Sequence, residues 1–336
     1  MKIGKIDTAQ QVFIIAEIGN NHEGDFDVAI QMIQAAANSG ADAVKFQTII
    51  PEELVRPTEI ERIARLKKFQ FTFEQYQMLS EVAKEAGVIF FSTPFDLKGA
   101  EFLNTIQPVF KIASGDNDFL PLIEKVMGFG KPVIISSGMA ETHQMKVINE
   151  MAEKIKADFV HEPGLAFLHC VTSYPTPDEQ AGLSNIKKLI SAFPDVTIGY
   201  SDHTLGIKAS IYAVAAGARI IEKHFTLDNQ YSDFRDHQLS ANPEDFKQMV
   251  EEIRALEWMF GNESEIQSCE TDFLTAARRS IVLNRDFKAG ESIRFEDLSW
   301  LRPGGGISPG NEHLIIGKKV NTDLLKGTTL KLSDLN

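Results

Sequence analysis

From residue 12 to about residue 260 the chain repeats one pattern. A short, nearly continuous apolar run is followed by a polar exit and then by a longer stretch with apolar positions at helical spacing. The runs at 12–18, 43–47, 88–92, 109–112, 133–136, 166–170, 196–200 and 219–222 predict strands. Stretches such as AIQMIQAAANSG, FEQYQMLSEVAKEAG and LIEKVMGFG predict amphipathic helices that stop at glycine. Strands without alternation are those of a parallel sheet buried on both faces. Eight such units predict an α/β fold, a (β/α)8 TIM barrel. An open doubly wound sheet fits less well, because no G-x-G-x-x-G follows the first strand.

The pattern changes at GNESEIQSCETD. Beyond it, short β-rich runs alternate with Gly and Asn/Asp turns. The expected organisation is a barrel over residues 1–262, a linker over 263–277 and a small β-rich domain over 278–336. So small a tail holds few large apolar residues and is expected to lean on the barrel or on another subunit.

Composition narrows the function. With 47 acidic and 34 basic residues the net charge is −13, which disfavours nucleic acid as a partner. Any anionic ligand would need cations concentrated locally. Two cysteines cannot form a disulfide framework, and Cys170 in LAFLHC reads as a small buried residue. The first residues show no leader pattern and no window is apolar enough to span a membrane, so a cytoplasmic protein is expected.

The chemistry lies at the strand exits, which in a (β/α)8 barrel converge on one mouth. They read AEIGNNHEG, KFQT, FSTPF, KIASGD, ISSGM, HCVTSYPTP, GYSDHT and EKHF. Lys45 and Lys111, with the hydroxyls of Thr93, Ser114, Ser136 and Ser201, would suit a phosphate or a phosphate plus a carboxylate. Gly115 and Gly138 would bring backbone N–H groups close to it. The alternatives are lysines that merely pair with carboxylates, or a Schiff-base lysine. His203 and His224 leave neighbouring strands and could share a divalent metal, or simply hydrogen-bond. His22 is either a third ligand or an organiser of the first loop, and His169 reads as a core histidine. Glu17 and Asp116 could orient a lysine, hold hydroxyls or move protons. Asp236 and His237 either reach over the mouth or belong to a solvated loop.

Taken in order, and followed by RRSI and LRPGGGISPG, these motifs resemble the sialic acid synthase family over essentially the whole chain. That family comprises the phosphoenolpyruvate-dependent N-acetylneuraminate, legionaminate and pseudaminate synthases. The resemblance implies a TIM barrel with a C-terminal antifreeze-like (SAF) domain. It implies condensation of phosphoenolpyruvate with an open-chain N-acylamino sugar, with C–O cleavage, phosphate release and a manganese or magnesium ion. It makes His203 and His224 the metal ligands. Phosphoenolpyruvate goes to Lys45, Thr93, Lys111, Ser114, Ser136 and Ser201, and the sugar to Gln47, Asp116, Tyr174 and Asp236. Glu17, Lys45, Lys111 and Asp116 become the catalytic set. It further implies a domain-swapped homodimer in which Arg302 of LRPGGG contacts the sugar in the partner's barrel.

Three departures bear on the sugar. Asp116 stands where many relatives have Glu, residues 231–236 replace a P-G-P-D stretch and bring in Arg235, and the 50–71 segment is short and lacks a sugar-binding asparagine. Another phosphoenolpyruvate-dependent 3-deoxy-ulosonate synthase, a Schiff-base aldolase and a non-catalytic sugar-binding scaffold are the competing readings.

Overall fold

The computed structural model describes residues 1–160, 163–261 and 265–336. The chain divides into two compact units, Met1–Gly261 and Asn262–Asn336. The expected boundary at 262/263 and the first residues of the expected linker lie outside the described residues.

In the first unit eight strands form one parallel sheet: β1 (Phe13–Gly19), β2 (Ala43–Thr48), β3 (Ile89–Pro94), β4 (Phe110–Ile112), β5 (Val133–Ser136), β6 (Leu165–Cys170), β7 (Thr197–Asp202) and β8 (Ile220–His224). The hydrogen-bonded order is β3-β2-β1-β8-β7-β6-β5-β4. Strands β3 and β4, the ends of that order, lie side by side and complete a nearly closed barrel. No ladder joins them. Instead the Gln107 side chain accepts the Ser92 N–H at 2.8 Å, filling one bond of the missing ladder. Each strand lies within a residue or two of its expected position, and most run on into the polar exit.

The two-residue period of a strand sorts the side chains. In β1, Ile14, Ala16 and Ile18 face the helices, whereas Phe13 and Ile15 face the barrel axis with Ala43, Phe91, Val109, Ile134, Ala166, Leu168 and Ile220. Gly199 on β7 is the close-approach point of that interior. A Cβ there would come within 2.5 Å of both the Ile220 carbonyl oxygen and Leu168 Cδ2. The bottom is plugged by a short antiparallel ladder, Lys2–Ile3 with Ile6–Asp7, whose Ile3 joins the interior cluster.

Local signals fix the surrounding helices. Asp25 caps Phe26–Asn38 through the Val28 N–H, and a Thr72–Gln75 capping box starts Phe73–Glu85. Asn242 caps Pro243–Phe260, with Pro243 in the first turn. Among the described residues no helix is long and apolar enough to cross a membrane.

The second unit pairs β9 (Ser280–Leu283) with β10 (Leu298–Leu301), antiparallel. It has a core of its own, including Ile281, Leu283, Phe287, Ile293, Leu298, Ile315, Val320 and Leu330. Part of the segment expected as linker is helical, at Thr271–Ala277, where Leu and Ala favour a helix although none of its residues is buried.

Candidate active site

Continuing the inward-facing rows upward replaces the apolar layer with a charged one. Glu17, Lys45, Thr93, Lys111, Ser136, Ser201 and Glu222 are all buried, and all line a cavity of about 400 Å³ at the C-terminal ends of the strands. Lys45 Nζ lies 2.7 Å from Glu17 Oε2, donates to Thr93 Oγ1 at 3.2 Å, and is 3.6 Å from Glu222 Oε2. Lys111 Nζ donates to Ser136 Oγ at 2.7 Å and is 3.6 Å from Glu222 Oε1. Ser201 donates to that same carboxylate at 2.8 Å. Glu222 therefore bridges the two lysines.

Burial and charge drive the two carboxyls apart. Burial, reinforced by the nearby Glu222, raises Glu17 despite Lys45. Burial would also raise Glu222, but Lys111, Lys45 and Ser201 hold it well below the usual carboxylate range. Burial lowers Lys111, whereas for Lys45 Glu17 and Glu222 more than offset the same cost and raise it.

Two imidazoles stand beside this floor, with ring centroids 5.4 Å apart. His203 Nδ1 lies 2.8 Å from the Val171 carbonyl oxygen, which accepts its proton and leaves Nε2 as the lone-pair nitrogen. Burial opposes charging of His203, but the Cys170 sulfur and Val171 outweigh it and raise its pKa. Burial, with His203 and Lys45, keeps His224 neutral, and its Nδ1 is buried without a hydrogen-bond partner. Two imidazoles on adjacent strands, one with an orphaned nitrogen, suit a divalent cation. Among the described residues no third His, Cys, Asp or Glu joins them in a metal-holding group. Water and substrate oxygens would have to complete the shell.

The rim carries the remaining expected residues. Gln47 donates to Glu17 Oε1 at 2.9 Å. Tyr174 packs on His203 at 4.1 Å between centroids, and Asp236 lies in the segment after β8. Ser114 sits above β4, and Gly138 lets it approach Thr172: a Cβ at 138 would lie 2.6 Å from Ser114 Oγ and 2.3 Å from Thr172 Oγ1. Glu17, Lys45, Gln47, Thr93, Lys111, Ser114, Ser136, Tyr174, Ser201, His203, His224 and Asp236 thus share one cavity. Asp116 does not line it. It closes the turn Ser114–Asp116, where burial and the neighbouring Asp118 raise its carboxyl to about 6. Arg302 is exposed on the second unit.

His22 stacks on Phe71 at 4.2 Å and accepts the Gly24 N–H at 3.0 Å, so it organises the first loop and does not line the cavity. His169 hydrogen-bonds the Ala181 carbonyl at 2.8 Å, as a core histidine should. His237 is buried, 3.0 Å from Glu23 Oε1, and does not belong to a solvated loop. Cys170 is the small buried residue expected, and it also lines the cavity, 3.8 Å from His203 Nδ1. Sequence reasoning missed Glu222 and Arg62. Glu222 was legible in principle, two residues before His224 and so on the same strand face. Arg62 sits in the helix Ile60–Lys67, where half the residues are charged and none is buried.

Comparison with known proteins gives the family. The NeuB family model matches residues 32–265 and the SAF domain model residues 278–336. An uncharacterized protein of Methanocaldococcus jannaschii is 42% identical, over 100% of this chain and 98% of its own. The N,N'-diacetyllegionaminic acid synthase of Legionella pneumophila is 36% identical, over 95% of this chain and 93% of its own. Among solved structures, the N-acetylneuraminic acid synthetase of Leptospira borgpetersenii superposes with a TM-score of 0.75 at 34% identity, covering 81% of this chain and 94% of that one. These matches make this chain a member of the NeuB family of nonulosonic acid synthases, transferases that here carry a C-terminal SAF domain.

Proposed function

We propose that the cavity condenses phosphoenolpyruvate with an open-chain N-acylamino sugar to give a nonulosonic acid and phosphate. The observation that carries this reading is the shared floor of Lys45 and Lys111 with Thr93, Ser136 and Ser201, beside the imidazoles of His203 and His224. Lysines and hydroxyls fixed before the substrate arrives stabilise anionic oxygens without reorganisation. Ser114 joins them on phosphoenolpyruvate, and Gln47, Tyr174 and Asp236 face the sugar. Asp116 is kept in the proposed sugar-binding and catalytic set on the resemblance alone.

Carbon 3 of phosphoenolpyruvate bonds to the sugar aldehyde carbon, water oxygen adds at carbon 2, and the carbon 2–oxygen bond to phosphate breaks. The product keeps a carbonyl at carbon 2, and inorganic phosphate leaves. Glu17, which lies between Lys45 and Gln47, takes a proton from the incoming water, and the aldehyde oxygen takes up a proton to become a hydroxyl. Glu222 keeps both lysines oriented. A divalent ion held by His203 and His224 would polarise the aldehyde oxygen. Two nitrogen donors favour manganese over magnesium, which prefers oxygen shells. A Schiff-base route fits less well at Lys45, which lies against Glu17 and whose charged form is favoured; for Lys111, which burial lowers, borohydride trapping decides.

We further propose that a homodimer completes the site, with the exposed Arg302 serving the sugar in a second copy's barrel; the support is the match of LRPGGG to the family motif. Screening mannosamine-type and 2,4-diacetamido sugars with phosphoenolpyruvate and manganese tests the activity. Stoichiometric phosphate release and a product of the summed carbon skeleton are expected. Lysine trapping by borohydride with pyruvate, or no phosphate from any sugar, would overturn the reading.

A further inference from the structure

The floor of the cavity brings little net charge of its own. Lys45 and Lys111 are met by Glu17 and Glu222. The mouth is different. Arg62, on helix Ile60–Lys67, and Arg235, which begins Arg235–Leu239, both line the same cavity. Among the described residues Arg62 makes no ion pair and no hydrogen bond. Arg235 has one loose carboxylate contact, Nε to Asp236 Oδ1 at 3.3 Å, and its guanidinium lies 4.6 Å from the Tyr174 ring centroid.

The helix that carries Arg62 has no fully buried residue, with Ile63 and Leu66 half-buried and Lys67 paired with Glu52. Contacts between loops lie at its end. Phe69, just past its end, packs on Phe234, next to Arg235, with centroids 5.3 Å apart. Gly24 of the first loop, at φ +86°, approaches so closely that a Cβ would sit 1.9 Å from the Lys68 carbonyl oxygen. Three strand-exit loops thus lean together at their roots while two guanidinium groups line the mouth.

We propose that Arg62 and Arg235 form a second anion subsite, which binds a phosphate monoester on the far end of the acylamino sugar. The inference rests on the condensation reading and adds to it the class of sugar. With phosphoenolpyruvate on the lysine floor, the sugar aldehyde must meet it there, and the opposite end of the open chain points toward the mouth. Planar guanidinium forks match phosphate oxygens in pairs. The lysines are too deep to serve both ends.

The test uses the full chain with manganese and phosphoenolpyruvate. Each acylamino sugar that supports phosphate release is compared with its terminal phosphate ester. The ester should be preferred by at least about tenfold in kcat/KM. Arg62→Met and Arg235→Met should each raise the KM for the ester by about fivefold or more, and the double variant should bring the preference near unity. The KM for phosphoenolpyruvate should hardly move, Arg62→Lys should restore part of the preference, and unchanged unfolding midpoints should show intact folds. A wild-type enzyme that uses the neutral sugar as well as the ester overturns the subsite. So does activity confined to 6-deoxy sugars, which have no terminal hydroxyl to esterify. So does an equal rise in the KM for phosphoenolpyruvate, which would mean that the arginines serve that substrate instead. Phosphate release from no sugar at all would reject the condensation itself, a result distinct from consumption of the neutral sugar alone.

Discussion

The Glu222 carboxylate and the Lys111 ammonium, on strands β8 and β4, face each other across the barrel at 3.6 Å with neither exposed to solvent. The same carboxylate reaches Lys45. Removing its charge strands two buried cations, which typically costs about 3–5 kcal/mol. Glu222→Gln should lose stability on that scale in urea unfolding. An added anion can replace the missing charge, so inorganic phosphate should raise the variant's midpoint more than the wild type's. Equal shifts in both would show that Glu222 does not balance the lysines.

Metal binding should depend on both imidazoles together. His203→Ala and His224→Ala should each weaken manganese retention by at least about tenfold, read by elemental analysis after dialysis. Chelation should stop phosphate release, and manganese should restore it. Full turnover in a chelated sample would remove the ion from the proposed reaction.

The first loop makes a prediction about acid. Burial pushes His22 down to about 4 from an ordinary 6.5. Between those values the unfolded chain binds a proton that the folded chain refuses, so stability contributed by neutral His22 is present above pH 6.5 and lost as pH falls toward 4. The full effect is about 3 kcal/mol. His22→Gln should therefore lose less stability between pH 7 and 4.5 than the wild type does. Parallel pH profiles would refute this.

For Arg302 the two substrates separate the roles. Arg302→Ala should raise the KM for the sugar by about tenfold or more and leave that for phosphoenolpyruvate within about twofold. A comparable rise for both would place Arg302 outside sugar recognition.

At the seam between β3 and β4, Gln107→Leu leaves the buried Ser92 N–H without its acceptor. The expected loss is about 1–3 kcal/mol. Amide exchange at residue 92 should accelerate more than at residue 44 in the hydrogen-bonded interior of the sheet. Uniform acceleration would mean that the seam has no special weakness.

The barrel was readable because eight apolar runs ending in polar residues leave few other topologies. Lys45, Thr93, Lys111, Ser136 and Ser201 were readable because strand period and strand ends fix where they point. Glu222 was less legible because it lies within the eighth apolar run, at 219–222, although the two-residue period puts it on one face with His224. Arg62 escaped for a different reason. Its helix has an apolar stripe, Ile60, Ile63 and Leu66, but none of these is fully buried, so the stripe does not fix which way Arg62 faces; contacts among Gly24, Lys68, Phe69 and Phe234 lie beside it at the mouth. Those contacts join residues far apart in the chain and leave no local periodic trace. The two-strand plug carrying Ile3 was invisible because two residues are too few to show alternation. Asp116 shows the converse: a correct motif does not guarantee a place in the cavity lining.

The barrel is a ring of staves bound edge to edge everywhere except between β3 and β4, where one glutamine side chain stands in for the hoop. Lys45 and Thr93 lie on one side of that gap, and Lys111 and Ser136 on the other. A ligand gripped by both sets would itself span the gap, so filling the floor would tighten the ring at its loosest joint. Catalytic readiness and the rigidity of the scaffold would then rise together, without any separate moving part.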